Sequence, residues 1–113
     1  MNIERGDILL VALDPSVGAE IQKTRPVIVV TNNVANVYSR VLMVVPVTSK
    51  NVEKVFPHEV RIQKSKELKK ESKANVAQMK AIDRSRIEAK LGKVSSQTLN
   101  KLDIAIKLHL GLS

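Results

Sequence analysis

The chain has 113 residues and carries 19 Lys and Arg against 11 Asp and Glu, a formal charge of +8. That length supports one domain, 1–113, and leaves too little chain for a second core. With no cysteine and only His58 and His109 as histidines, it excludes disulfides, thiolate nucleophiles and cysteine metal clusters, and no cofactor or structural metal is expected.

The 43% of hydrophobic and 27% of charged residues are the proportions of a globular chain. Apolar runs such as Val41 to Val47 are far too short to cross a bilayer. Glu4, Arg5 and Asp7 precede any apolar stretch, so no signal-peptide pattern is present and a cytoplasmic location is expected. The basic excess favours a polyanionic partner, nucleic acid first. Tyr38 and Phe56 are the only aromatic residues, so recognition leans on polar side chains, backbone groups and guanidinium planes rather than a long stacking platform.

In chain order, aliphatic and β-branched runs predict strands at Asp7 to Leu13, Pro26 to Thr31, Val41 to Val47 and Glu59 to Ile62. Between the first two, Pro15 and Gly18 make Asp14 to Thr24 a bent, exposed connection longer than a tight hairpin. Asn32 to Arg40 reads as a second connection, carrying Tyr38, and Ser49 to His58 as a third. Lys64 to Lys73, a basic stretch around Leu68, reads as a solvated turn or short helix. Ala74 to Ala81 resumes extended character. Asp83 then caps a short helical turn through Glu88, with Arg84 and Arg86 exposed, and Ala89 to Val94 forms a last strand. From Ser95 or Ser96, the spacing of Leu99, Leu102, Ile106 and Leu110 predicts a helix that stops at Gly111.

The early strands have no helices between them, which disfavours a parallel doubly wound sheet. The expected fold is mainly β within the α+β class: a small, strongly bent barrel or half-open sheet with the terminal helix packed on it. The sequence contains no Gly-rich phosphate loop, serine nucleophile elbow or paired-carboxylate motif.

Three spots carry more polarity than folding requires. Lys23 and Arg25 flank Thr24 at the mouth of an apolar strand, where a plain strand-end arginine is the alternative. Thr48, Ser49 and Lys50 appear as soon as a buried-looking strand ends, which an ordinary Ser/Thr turn also explains. Gln78 and Lys80 share one face if the segment alternates as a strand, as any solvated strand face does.

Together these segments resemble the MazF/PemK family of toxin endoribonucleases, the mRNA interferases of type II toxin–antitoxin systems. The resemblance spans nearly the whole chain. It is carried by Arg5-Gly6-Asp7-Ile8, by Leu13, Pro15, Gly18 and Glu20 at the family's spacing, and by Arg25-Pro26-Val27-Ile28-Val29. Pro46-Val47-Thr48-Ser49 and Gln78 through Ile87 are similar to its second and third blocks. The resemblance implies an SH3-like β-barrel with a C-terminal helix, a homodimer, an acidic MazE-like antitoxin as partner, and metal-independent cleavage of single-stranded RNA at a short sequence. It makes Arg25 the principal catalytic residue with Thr48 in support. Gly18, Glu20, Lys23, Ser49, His58, Gln78 and Lys80 are the expected RNA contacts. Some members place an acidic residue just before the glutamine and an arginine two places earlier; this chain has Ala77 and Asn75 there. Glu20 and His58 are then the remaining titratable candidates for proton transfer. A non-catalytic SH3-like RNA-binding module and a gyrase poison of the CcdB type are the alternatives, and neither requires an arginine and a threonine at two strand ends.

Cutting RNA without a metal uses the neighbouring 2′-OH as nucleophile and leaves a 2′,3′-cyclic phosphate and a 5′-OH. The protein must therefore move protons and stabilise charge on the phosphoryl oxygens. A guanidinium suits the second task because it grips two oxygens at once, and it resists deprotonation, which makes it a poor base.

Overall fold

The computed structural model describes residues 1–13 and 24–113. Its strands are β1 (Asp7–Ala12), β2 (Thr24–Val29), β3 (Val41–Thr48), β4 (Glu59–Ile62), β5 (Ser72–Asn75), β6 (Lys80–Asp83) and β7 (Ile87–Lys93), with helices α1 (Asn33–Tyr38) and α2 (Ser96–Leu110). All pairings are antiparallel, in the order β4-β5-β3-β2-β1-β7, with β6 also on β3.

β3 organises this sheet. One edge holds β2 through Val27↔Pro46, Ile28↔Val45 and Val29↔Val44. The other is shared by two strands: β6 along Val41 to Val44, and β5 at Val47 and Thr48. Among the described residues the hydrogen-bonded path does not return on itself, so the bent sheet is half-open rather than a closed barrel.

Consecutive side chains on a strand point to opposite faces, and both faces here are covered. Ile8, Ile28, Val45, Val47, Val60, Ile62 and Ala74 join Leu102 and Ala105 of α2 in one core. Their neighbours Leu9, Val11, Val27, Val29, Leu42 and Val44 form a second with Ile3, Leu13 and Ile82. Burial on both sides is why these strands read as continuous apolar runs instead of alternating ones.

α2 begins as the sequence predicts: the Ser95 hydroxyl accepts the Thr98 N–H at 3.1 Å, and Gly111 ends it in the left-handed conformation, φ 72°. Leu102 is buried, but Leu110 lies exposed past the core, as do Ile104 and Leu108. Asp83 caps the three-residue turn Arg84–Arg86 by accepting the Ser85 N–H at 2.8 Å, and the strand that follows starts at Ile87 rather than Ala89.

Four readings need correction. Asn32 to Arg40 is not a plain connection: Asn32 caps α1 by accepting the Ala35 N–H at 2.9 Å. The helix left no periodic signal because Val34, Val37 and Tyr38 point outward. It is held by polar bonds instead, the Asn36 side-chain amide donating to the Thr31 carbonyl at 2.8 Å. Nor are Arg84 and Arg86 exposed; both are half-buried. Arg84 donates to the carbonyls of Ser39 and Asn36, tying α1 to the sheet, and Arg86 donates to the Ala12 carbonyl at 3.2 Å. Ala74 to Ala81 is broken by a 3-10 turn, Val76–Gln78, capped by the Asn75 side chain. The fourth is the basic stretch, where Ser72 and Lys73 are buried in β5 and Leu68 is in the core.

Candidate active site

Arg25 enters the structure at the start of β2, paired with Val11 of β1. On the other side, the β2–β3 pairing ends at Val27↔Pro46. Neither Pro26 nor Pro46 has an N–H to give a ladder. Carried two residues further, the same register sets Arg25 opposite Thr48, at the ends of adjacent strands. Both are half-buried. The Thr48 hydroxyl oxygen accepts the Lys50 N–H at 3.2 Å, which leaves its own hydrogen to be donated.

These two residues, with Pro26 and Ser49, line a cavity of about 330 Å³. The opposite wall is the lysine-rich segment joining β4 to β5, which contributes Glu67, Leu68, Lys69 and Lys70. Two anchors hold that segment. Leu68 is buried, with a Ser65–Leu68 turn closed by the Ser65 N–H to the Leu68 carbonyl at 2.6 Å and by the Leu68 N–H to the Ser65 hydroxyl at 3.1 Å. Glu67 lies across Gly92 of β7, where an added Cβ would stand 2.7 Å from Glu67 Cγ; only glycine admits so close an approach. The segment therefore adds two lysines and a glutamate to the lining that holds the arginine and threonine. Sequence reading missed Glu67, Lys69 and Lys70 as site residues, because a run of charges looks like a solvated surface. The buried Leu68 within it was the available signal.

Beside Thr48, on the neighbouring strand, lies an ion pair. Thr48 pairs with Lys73 of β5, whose ammonium is nearly buried and donates to Glu59 at 3.0 Å and to the Lys54 carbonyl at 3.0 Å. The Glu59 carboxylate also accepts the Phe56 N–H at 3.0 Å.

The structure distributes the other expected site residues as follows. Ser49 is exposed at the cavity. Gly18, Glu20 and Lys23 lie outside the described residues. His58 does not line the cavity. Its ring stacks on Phe56 with centroids 5.8 Å apart and meets His109 at 6.2 Å, while Lys54 stands 5.2 Å from the Phe56 centroid. Gln78 and Lys80 do not share a strand face, since Gln78 belongs to the 3-10 turn and Lys80 pairs with Val44 in β6. Both are half-buried along the outer edge of β3, between its partners β5 and β6. Among the described residues no three His, Asp or Glu side chains gather as metal ligands would.

The arrangement is a cationic, hydroxyl-bearing cleft at the ends of two central strands. Residues 4–110 match the family model of the PemK-like, MazF-like toxin of type II toxin–antitoxin system. The chain belongs to this family. It is 40% identical over 116 residues to Endoribonuclease MazF9 of Mycobacterium tuberculosis (strain ATCC 25618 / H37Rv), covering 97% of this chain and 98% of that protein. Its fold is similar to MazF from Deinococcus radiodurans, with a TM-score of 0.82 at 22% identity over 99% of each chain. It is equally similar to a mycobacterial endoribonuclease solved in complex with its cognate antitoxin, with a TM-score of 0.82 at 22% identity over 98% of this chain and 97% of that one. Those MazF-type structures share the antiparallel sheet and terminal helix described above.

Proposed function

We infer that this chain is a toxin endoribonuclease of a type II toxin–antitoxin system, cutting single-stranded RNA at a short sequence in the cytoplasm. The observation that carries the chemistry is the register that sets Arg25 opposite Thr48 beside an open cleft. The relative named endoribonuclease at 40% identity supports the same activity. The scissile phosphate sits between the two residues. The 2′-hydroxyl attacks phosphorus as its proton passes to water, the bond to the 5′-oxygen breaks as that oxygen takes a proton from water, and negative charge grows on the non-bridging oxygens. Arg25 grips two of those oxygens, and the Thr48 hydroxyl donates to the same centre. Lys69 and Lys70 hold the flanking phosphates. No metal takes part in this reading.

An acidic, flexible antitoxin is the natural inhibitor of such a cleft, because a chain rich in Asp and Glu imitates a phosphate backbone. A homodimer is supported by the large apolar side chains left exposed on α1 and early β3, among them Val34, Val37 and Tyr38, and on α2, Ile104 and Leu108. The whole chain, 1–113, acts as one domain within that dimer.

The test is to incubate the purified protein with a long single-stranded RNA and map any cut ends. Cuts at one recurrent sequence, with cyclic phosphate and 5′-OH termini, are the expected result. Binding without cutting would assign a non-catalytic RNA-binding module instead. Antitoxin peptide titrated against bound RNA should displace it, and a ternary complex with undiminished RNA affinity would refute inhibition by occupancy.

A further inference from the structure

The segment that walls the Arg25 cleft has a second side. Where Glu67, Lys69 and Lys70 face Arg25 and Thr48, the preceding residues Lys64 and Ser65 face a separate cavity of about 330 Å³, bounded below by β4 and across by α2. Leu68 belongs to both walls. The second cavity gathers four cations from four parts of the chain: Arg61 of β4, Lys64 of the segment, Lys93 at the end of β7 and Lys101 of α2. Hydroxyls of Ser65 and Thr98 stand among them. None of the described residues that line it is acidic. Lys93 has Glu4 at 3.2 Å as a partner, but Arg61, Lys64 and Lys101 make no ion pair among the described residues.

Only Lys93 has a carboxylate to offset its charge; Arg61, Lys64 and Lys101 around the same concavity repel each other, and folding gains nothing from gathering them. A ligand with distributed negative charge and many acceptor oxygens removes that repulsion and satisfies the hydroxyls. We propose that this cavity is a second RNA site, which takes phosphates of the strand after it crosses the lysine-rich segment from the Arg25–Thr48 cleft. The inference rests on the proposed nuclease function and adds to it a basic exosite: the strand is gripped at two clefts separated by the Glu67–Lys70 ridge.

A phosphate backbone fits better than an acidic peptide. Peptide segments that dock tightly bring apolar anchors with their charges. Exposed Ile104 lies close by, in an adjoining pocket that Arg61 and Lys101 also line. Within the cavity itself, Ile8, Ile62 and Leu68 are buried in the core and offer a peptide anchor no open pocket, while the exposed lining carries ammonium, guanidinium, hydroxyl and amide groups.

The test compares a Lys64→Glu/Lys101→Glu variant with the wild type on fluorescent 2′-O-methyl RNA, which lacks the nucleophile. Two probes are used, one covering the cut site only and one extending well beyond it on both sides. Both lysines are exposed, so the fold should tolerate the change, and a Lys64→Gln/Lys101→Gln pair gives a milder check. The expected result is a loss of roughly tenfold or more in affinity for the long probe, with a shallower dependence on salt, and less than about a twofold change for the short one. Equal loss on both probes, or none on either, would overturn the exosite. Loss of affinity for an acidic antitoxin peptide with long-probe binding intact would overturn it in favour of a peptide site. Cleavage of unmodified RNA by the wild type is followed in parallel. RNA that is bound in this two-part fashion but never cut would sink the nuclease reading and leave the exosite standing.

Discussion

Thr48 lies opposite Lys73 in the pairing of β3 with β5, and the Lys73 ammonium is buried against Glu59. The strand that presents the threonine is thus flanked, on the same face of the sheet, by a charge pair largely withdrawn from water. Removing one partner of such a pair leaves the other charge buried and alone, which costs about 3–5 kcal/mol. Glu59→Ala should destabilise the fold by about that amount, measured by chemical unfolding. A change below about 1 kcal/mol would show that water reaches the pair and screens it.

The same pair sets an acid limit on stability. Burial pushes the Glu59 carboxyl up, but the Phe56 N–H, the Lys73 ammonium and the charge of His58 together outweigh it, so its pKa lies below the ordinary 4.5. A carboxyl held low in the folded state contributes stability that is fully present above its unfolded value and disappears as the pH falls through its folded value. The unfolding free energy should therefore fall in acid below about pH 4.5. Glu59→Gln should flatten that decline, and an unchanged acid profile in the variant would transfer it to other groups.

Arg25→Ala should reduce cleavage by about 10²–10³-fold, or about 3–4 kcal/mol in the barrier, with the fold preserved. Arg25→Lys should recover little, because an ammonium cannot grip two phosphoryl oxygens in one plane. Single-turnover rates beside circular dichroism decide this, and near-normal cutting by either folded variant would move the chemistry away from the β2–β3 strand ends.

Cleavage should persist in excess EDTA, since the chain has no cysteine and its described His, Asp and Glu side chains do not gather. Complete loss on chelation, restored by a divalent ion, would contradict the metal-free reaction.

Gly92→Ala tests the wall of the cleft. Its methyl group would sit 2.7 Å from Glu67 Cγ, so the exposed Glu67 side chain must turn away from β7 and move its carboxylate within the cleft wall. The expected effect is a several-fold rise in KM for RNA with modest loss of stability, because Leu68 still anchors the segment. Unaltered KM would mean that Glu67 does not touch the strand.

Much of this was legible from the sequence, for reasons that differ by element. The capping serine, the spacing of Leu99 and Leu102 and the terminal glycine made α2 visible, since each is a local requirement of a helix. Arg25 and Thr48 stood out because strong polarity broke off apolar runs; their juxtaposition came with the β2–β3 register. What escaped had its cause far away in the chain. α1 turns its valines to solvent and is secured by Arg84, more than forty residues later. Glu67 needed Gly92, a residue of another strand, before it became part of a cleft. Lys73 looked like one more solvated lysine until Glu59 was set beside it.

The pairing that sets Arg25 across from Thr48 also bears on how a cell survives making such a protein. The arginine is translated well before the threonine, and β3 gains its outer edge only when β5 and β6 have been added. A nascent chain on the ribosome, however close to messenger RNA, therefore has no assembled cleft. Any cutting that depends on that cleft must wait until most of the polypeptide has been made.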